Sequence, residues 1–107
     1  MELGQYQIVL VDLNPTLGSE TNKIRQYVII SPDEMNKFLR TIIVAPMTTV
    51  SKKYPTRIKI IHKEKTGWIA LDQIRTIDKQ RILKVSWKLS RQEIKEVKSV
   101  LKETFVD

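Results

Sequence analysis

Short apolar runs separated by polar stretches fill the first ninety or so residues, and this pattern predicts a protein built mainly from β-strands. Residues 7–13 (QIVLVDL) are apolar on both faces, which is typical of a central strand. Residues 56–63 (TRIKIIHK) alternate instead, with Ile58 and Ile60 on one face. The other predicted strands span residues 27–31, 41–48, 67–72 and 81–87, and residues 73–77 prolong the strand before them.

Two local features indicate where these strands turn or end. Pro46 has no N–H to give to a neighbouring strand, so it predicts an edge or a bulge near the end of the strand at 41–48. The sequence KTG at 65–67 predicts the turn that starts the strand at 67–72.

Two helices are predicted, one short and one long. Residues 31–39 begin with Ser31, which can cap a helix, and Pro32, which suits a first helical position. Near the C-terminus, Ser90 and Glu93 have the spacing of a capping box. Apolar residues then follow at helical spacing: Ile94, Val97, Val100, Leu101 and Phe105.

Strands that come first and a helix that comes last predict an α+β fold. We expect a small, strongly curved antiparallel sheet with a short helix after the second strand and a long C-terminal helix. The chain has 107 residues, which is enough for one domain and too few for two. Residues 1–107 are therefore predicted to form a single domain.

Basic charge is concentrated in two segments of the chain. The net charge is +7 and the isoelectric point is about 9.8, although residues 1–50 are slightly acidic. Residues 51–65 carry six lysines and arginines against one glutamate, and residues 73–91 carry six against one aspartate. Because two separate segments share the bias, the distribution favours a polyanionic partner, either nucleic acid or an acidic protein segment, over a merely solubilising surface.

Composition excludes several classes of site. The absence of cysteine removes disulfides, thiolate metal ligands and cysteine nucleophiles, and it agrees with a cytoplasmic location. No signal-peptide pattern is visible, and no apolar run approaches the roughly 20 residues that span a bilayer. No association with a membrane is expected.

Familiar catalytic motifs are absent from the sequence. There is no Gly-rich phosphate loop and no HExxH motif, and His62 is the only histidine available to a Ser-His-Asp set. His62 lies in a basic alternating strand and is predicted to be a surface residue rather than a ligand or a base. Asp33 and Glu34 suit the first turn of a helix better than a metal site, so neither a metal nor another cofactor is expected.

The candidate chemistry lies in two loops at strand ends. Residues 14–26 are long for a connection between two strands, and such loops are often functional. Within them, Glu20 and Arg25 are opposite charges that can converge on one point, although a plain surface ion pair is the ordinary explanation. Residues 46–55 place hydroxyl groups at a strand end beside basic residues: Thr48, Thr49, Lys52 and Lys53. The presence of both loops in a basic domain favours a functional site.

The chain resembles the MazF/PemK family of toxins from type II toxin–antitoxin systems, within the CcdB/PemK-like superfamily. Five blocks carry the resemblance in the family's order: VDLNPTLGSE (11–20), Arg25 before YVIIS, IIVAPMTT (42–49), KYP (53–55) and LDQIRTIDKQRI (71–82). The resemblance implies that the α+β fold predicted above has a compact, barrel-like antiparallel sheet (the CcdB/PemK-like toxin fold). It further implies a homodimer and metal-independent cleavage of single-stranded RNA at short sequences. It also implies an acidic, MazE-like antitoxin whose disordered tail wraps the basic surface and neutralises the toxin.

The family's functional positions fall on Arg25, Thr48 and Glu20 as catalytic residues and on Gln73 as a residue near bound RNA. We expect RNA contacts from the same loops and from the QIRTIDKQR block: Asn14, Ser19, Thr21, Lys23, Thr49, Lys52, Lys53, Gln73 and Arg75.

RNA cleavage explains why these residue types suffice. Attack of a ribose 2′-OH on the adjacent phosphorus puts charge on the non-bridging oxygens, which a guanidinium from Arg25 and a hydroxyl from Thr48 stabilise. Because Arg25 stays protonated, it acts as an electrostatic stabiliser or donates to the leaving 5′-oxygen. Glu20 is either the base or the group that orients Arg25.

The chain departs from the family pattern in two places. Tyr6-Gln7 stands where a Gly-Asp usually precedes the first strand. Lys23 and Gln26 replace a glycine and a proline around Arg25, which changes the flexibility of the loop and bears on RNA preference or on the level of activity. The catalytic residues remain, so activity is expected.

Two other functions are compatible with the sequence. One is a CcdB-like toxin of the same fold that poisons DNA gyrase and cleaves nothing, although the C-terminal ETFVD lacks the terminal tryptophan pattern. The other is a small basic RNA-binding barrel without activity, although few aromatic residues are available for base stacking: Tyr54, Trp68 and Trp87 at most.

Overall fold

The computed structural model of the chain describes residues 2–13, 24–50 and 54–106. The elements in chain order are β1 (Gln7–Asp12), β2 (Ile24–Ile29), α1 (Asp33–Phe38), β3 (Thr41–Thr48), β4 (Arg57–His62), β5 (Lys65–Ala70), β6 (Arg75–Asp78), β7 (Ile82–Lys88) and α2 (Arg91–Leu101). Short 3-10 turns at Leu71–Gln73 and Lys79–Arg81 flank β6, and a π-helical turn, Lys102–Val106, follows α2.

Antiparallel pairing joins the strands in the order β4-β5-β3-β2-β1-β7, and β6 pairs with β3 outside that path. On the side away from β2, residues 41–44 of β3 pair with β6, whereas Met47 and Thr48 pair with β5. This change of partner divides the sheet and lets it curl. The predicted α+β fold, with a curved antiparallel sheet and a C-terminal helix, is confirmed.

β1 is buried on both faces, as its apolar run predicts. Ile8 belongs to a core shared with the β4–β5 hairpin and with Val97 of α2. Val9 and Val11 belong to a second core on the opposite face, with residues of β2, β3, β6 and β7. The alternation predicted for β4 is also confirmed, because Ile58 and Ile60 are buried in the first core.

Pro46 lies inside the sheet rather than at an edge, so that prediction is wrong. The N–H and carbonyl of Ile43 both bond on the β2 side of β3. Peptide directions alternate along a strand, so the nitrogen of Pro46, three residues later, points to the other side. There it meets the gap between the β6 ladder, which ends at Val44, and the β5 ladder, which begins at Met47. The missing N–H therefore costs no ladder bond.

The turn before β5 differs from the predicted one. Residues 65–67 (KTG) are already part of β5, and the reversal falls on Lys63 and Glu64, whose φ angles are 49° and 65°. Positive φ angles at both central residues are typical of the two-residue hairpin turn whose backbone twist matches that of the flanking strands. Residues 73–77 do not prolong β5, because β6 is a separate strand that pairs with β3.

Ser31 does not cap α1, since Pro32 occupies the N-cap position. The Ser31 hydroxyl is buried instead, where it donates to the side-chain oxygen of Asn36 and accepts from the backbone N–H of Ile43 at 3.0 Å. The serine therefore ties α1 to β3 rather than beginning the helix.

The capping box of α2 is confirmed. Ser90 Oγ accepts from the backbone N–H of Glu93 at 3.2 Å, and Glu93 Oε1 accepts from the backbone N–H of Ser90 at 2.8 Å. Ile94, Val97, Val100 and Leu101 pack on the first core. Phe105 does not extend this stripe as predicted, because it is 59% exposed in the π-helical turn that follows the helix.

Candidate functional site

β2 and β3 bring Arg25 and Thr48 to neighbouring positions. The last pair of their ladder is Tyr27 with Pro46. Arg25 and Thr48 are each two residues beyond that pair, so a continued register would set them opposite each other with their side chains on one face. The observed contact is a hydrogen bond from Arg25 to Met47, the residue before Thr48. The two residues that the sequence singles out as catalytic therefore lie close together just beyond the end of the ladder.

A hydrogen bond holds the guanidinium of Arg25 against β3. Arg25 Nη2 donates to the backbone carbonyl oxygen of Met47 at 3.1 Å, and the side chain is exposed. A guanidinium carries five N–H donors in a planar fork, so this bond uses one of them and fixes the plane of the rest. The result is an oriented positive group at the surface, suited to a phosphate.

The hydroxyl of Thr48 shapes the start of the loop after β3. Thr48 Oγ1 donates to the backbone carbonyl oxygen of Val50 at 3.0 Å and accepts from the backbone N–H of Val50 at 3.2 Å. Its side chain is half-buried. The Thr48 hydroxyl can exchange its hydrogen bond to the Val50 carbonyl for one to a bound phosphate. It would still accept the hydrogen bond from the N–H of Val50.

The other predicted site residues divide into two groups. Those outside the described residues are Asn14, Ser19, Glu20, Thr21, Lys23, Lys52 and Lys53, so the convergence of Glu20 with Arg25 stays a prediction. Thr49 is exposed and directly follows Thr48.

Gln73 and Arg75 are exposed. Arg75 pairs with Val44, four residues before Thr48 along β3. At roughly 3.4 Å per residue, that separation is about 14 Å. The fold therefore places Arg75 apart from Thr48 within one chain.

Within residues 2–13, 24–50 and 54–106, no group of three or more metal-binding side chains is placed to hold an ion. No helix in the same part of the chain is long and apolar enough to cross a membrane.

His62 is not the surface residue that the sequence predicts. Its ring stacks on the ring of Trp87, with centroids 3.8 Å apart and planes 3° from parallel, and both residues are half-buried. The sequence does contain one indication of burial, because His62 is two residues after Ile60 and so lies on the same face of the strand as Ile58 and Ile60. Its partner, 25 residues away in the sequence, becomes visible only in the folded chain.

A family model describes the class to which this fold and site belong. Residues 4–105 match the model of the PemK-like, MazF-like toxins of type II toxin–antitoxin systems. The chain is also 40% identical to Endoribonuclease MazF of Staphylococcus saprophyticus over 100 residues, which cover 88% of this chain and 83% of that protein. The chain belongs to this family of PemK-like, MazF-like toxins.

Solved structures share the fold at lower sequence identity. MazF of Deinococcus radiodurans is 19% identical and superimposes with a TM-score of 0.81, covering 100% of this chain and 99% of that one. A mycobacterial endoribonuclease, solved in complex with its cognate antitoxin, is 16% identical with a TM-score of 0.82, and the match covers 97% of this chain and 95% of that one.

Proposed function

We propose that this chain, an endoribonuclease toxin of a type II toxin–antitoxin system, cleaves single-stranded RNA at the end of the β2–β3 ladder. The observation that carries the proposal is the hydrogen bond from the Arg25 guanidinium to Met47, the residue that precedes Thr48 on β3. A fixed cation beside a hydroxyl donor is suited to a phosphate whose charge grows during reaction.

The proposed reaction is a transesterification within the RNA. The ribose 2′-oxygen forms a bond to the adjacent phosphorus as the bond from phosphorus to the 5′-oxygen breaks, leaving a 2′,3′-cyclic phosphate and a 5′-hydroxyl. Arg25 and Thr48 donate hydrogen bonds to the non-bridging oxygens, where charge develops. No metal is needed for this chemistry, because the guanidinium supplies the positive charge.

Two proton transfers accompany the step. The proton of the 2′-OH goes to a base, for which Glu20 is the candidate, and the leaving 5′-oxygen takes a proton from Arg25 or from water. An alternative role for Glu20 is to orient Arg25. We attribute most of the rate to the orientation of the substrate and to the stabilisation of the developing charge by Arg25 and Thr48.

The assembly and location of the toxin follow from its family and charge. The net charge of +7 suits both RNA and an acidic, MazE-like antitoxin segment, and competition between the two for one surface would inhibit the toxin. We place the protein in the cytoplasm, where its proposed substrate is found, as a homodimer.

The test is incubation of the purified protein with a long single-stranded RNA in EDTA, with the new ends mapped by primer extension. We expect discrete cuts that are lost with Arg25→Ala and kept with Arg40→Ala, which removes an exposed arginine just before the other end of β3. Intact RNA from a folded protein that still arrests growth would contradict the proposal and point to a gyrase-type target.

A further inference from the structure

A groove opens where the two ends of the hydrogen-bonded strand path meet. β4 begins the path and β7 ends it, and the stacked rings of His62 and Trp87 join these two strands. The groove beside this stack has a volume of about 640 Å³, within the range of pockets that bind small ligands. The stack is therefore both a contact between β4 and β7 and one wall of a cavity.

The lining of the groove combines flat rings, an apolar floor and positive charge. Met47 and Ile60 contribute apolar surface beside the two rings. Lys63, Lys65 and Lys84 add three ammonium groups, and none of the described residues that line the groove is acidic. Rings that stack on bases, next to cations that meet phosphates, are the usual components of a single-stranded nucleic-acid site.

The groove lies next to the Arg25–Thr48 pair along the strands, on the opposite face of the sheet. Gln26 and Met47, which line it, are each one residue away from Arg25 and Thr48, and successive side chains of a strand point to opposite faces. Met47 links the two places, because its side chain lines the groove while its carbonyl oxygen holds the guanidinium of Arg25. A strand of RNA with a phosphate at Arg25 therefore reaches the groove by passing around the end of the β2–β3 ladder.

Gly67 keeps the groove open. A Cβ atom added at Gly67 would lie 3.6 Å from the terminal methyl of Met47 and 3.8 Å from a side-chain carbon of Ile60. It would also lie 3.8 Å from the backbone oxygen of Thr48. All three are ordinary contacts, so alanine fits without strain and takes space from the groove.

We propose that this groove is a base-binding subsite for the single-stranded RNA substrate, in which a base stacks against the His62–Trp87 pair while lysines beside it hold the adjacent phosphates. This proposal rests on the proposed function. It implies that residues of the groove, most of them outside the loops at 14–26 and 46–55, help to select the bases near the cut. Gln26 supplies an amide that can hydrogen-bond to a base edge.

The test measures binding apart from cleavage. The probe is a mixed-sequence 2′-O-methyl RNA of about twelve nucleotides, within the site sizes of single-strand binders, which cannot be cut because it has no free 2′-OH. In a Trp68→Phe background, Trp87 is the only tryptophan. We expect the probe to quench its fluorescence and to do so in Arg25→Ala as well.

Charge reversal tests the lysines. Lys65→Glu/Lys84→Glu is expected to weaken binding at least about tenfold and to reduce the slope of log affinity against log salt by about 1.4, since each phosphate that is no longer neutralised accounts for about 0.7. The control Lys37→Glu/Arg40→Glu changes the net charge equally at exposed positions beyond the other end of β2, and binding is expected to weaken by less than about threefold. Gly67→Ala should weaken binding and redistribute the cut sites while leaving the melting temperature unchanged.

Several outcomes would overturn the subsite. If the groove variant and the control variant weakened RNA binding equally, the loss would be explained by the net positive charge of the protein and not by the groove. Unquenched Trp87 with bound probe would place the RNA elsewhere, and the groove would then fit an acidic antitoxin segment better. A wild-type protein that quenches on binding yet cuts no RNA would instead refute the catalytic proposal and leave the subsite standing.

Discussion

Arg25 donates from Nη2 to the backbone carbonyl oxygen of Met47, and this bond ties the predicted catalytic arginine to the strand that carries Thr48. Arg25 lies two positions beyond the last pair of the β2–β3 ladder. The bond therefore joins two strands at a point where their ladder has already ended. The orientation of the guanidinium is set by the sheet as well as by the loop that precedes β2.

Arg25→Lys should lower the rate of RNA cleavage by about 100-fold. A lysine keeps the charge, but it has no planar fork and cannot hold Met47 and a phosphate in one fixed geometry. Because the side chain is exposed, the melting temperature should change little. Single-turnover cleavage and thermal unfolding of both proteins provide the measurement, and a lysine variant that cuts at the wild-type rate would show that charge alone suffices.

Thr48→Val should reduce cleavage by about 10- to 100-fold, and Thr48→Ser should retain most of it. Valine has nearly the same shape but lacks the hydroxyl that bonds to both backbone groups of Val50. Comparison of cleavage rates with binding of the uncleavable RNA separates the two roles of the hydroxyl. A lower rate at unchanged affinity indicates donation to the phosphate, whereas a decrease in both indicates a misplaced loop.

Glu93→Ala should destabilise the fold more than Ser90→Ala. Removal of a helix N-cap costs about 1 kcal/mol. Glu93 serves the capping box through Oε1 and also accepts from the backbone N–H of Ile61 through Oε2 at 3.2 Å, which adds about 0.5–1.5 kcal/mol. Urea unfolding measures both, with Glu96→Ala as an exposed control on the same helix.

The combined variant Ser90→Ala/Glu93→Ala should lower the free energy of unfolding by less than the sum of the two single effects. The two residues share one capping box, so the first substitution already removes part of what the second would remove. Strict additivity would show that the hydrogen bond between Glu93 and Ile61 acts independently of the box.

The stability contributed by Asp72 should depend on pH. Burial raises the pKa of this carboxyl. Hydrogen bonds from Thr56 and from its own backbone, together with the charge and hydrogen bond of Arg57, lower the pKa by more than burial raises it. The pKa of Asp72 therefore lies below the ordinary aspartate value. Arg57 Nε lies 3.1 Å from Asp72 Oδ1. A lowered carboxyl pKa stabilises the fold above the unfolded-state pKa, and the contribution disappears as pH falls through the folded-state value.

Asp72→Asn should therefore cost about 0.2–1 kcal/mol at pH 7, the range for a pair this exposed. The cost should shrink towards zero as the pH falls below the ordinary aspartate pKa. Urea unfolding at a series of pH values provides the measurement, with Glu103→Gln, an exposed carboxylate beyond α2, as the control. A cost that stays constant with pH would mean that the Thr56 hydrogen bond, rather than the charge, carries the effect.

Local chemistry made several features predictable from the sequence. The alternation of β4, the two-faced burial of β1 and the capping box at Ser90 each depend on residues within a few positions of one another. The Lys63–Glu64 turn is also local, but neither residue is of a type that favours a left-handed conformation, so the sequence does not indicate it. The role of Ser31 could not be predicted in this way, because it depends on a contact with a distant strand. Ser31, for example, accepts from Ile43 on β3 instead of capping the helix that follows it.

Charge, hydroxyl groups and ordered motif blocks belong to the chain before it folds, so the residues that could carry chemistry and the segments that would attract a polyanion are evident from the sequence. Which of these residues meet depends on the folded chain. Folding holds Arg25 against the strand that carries Thr48, places Pro46 where no N–H is needed, and brings His62 onto Trp87. The reason is physical: strand register and sheet curvature minimise the free energy of the whole core, so they fix distances between residues that no local pattern relates.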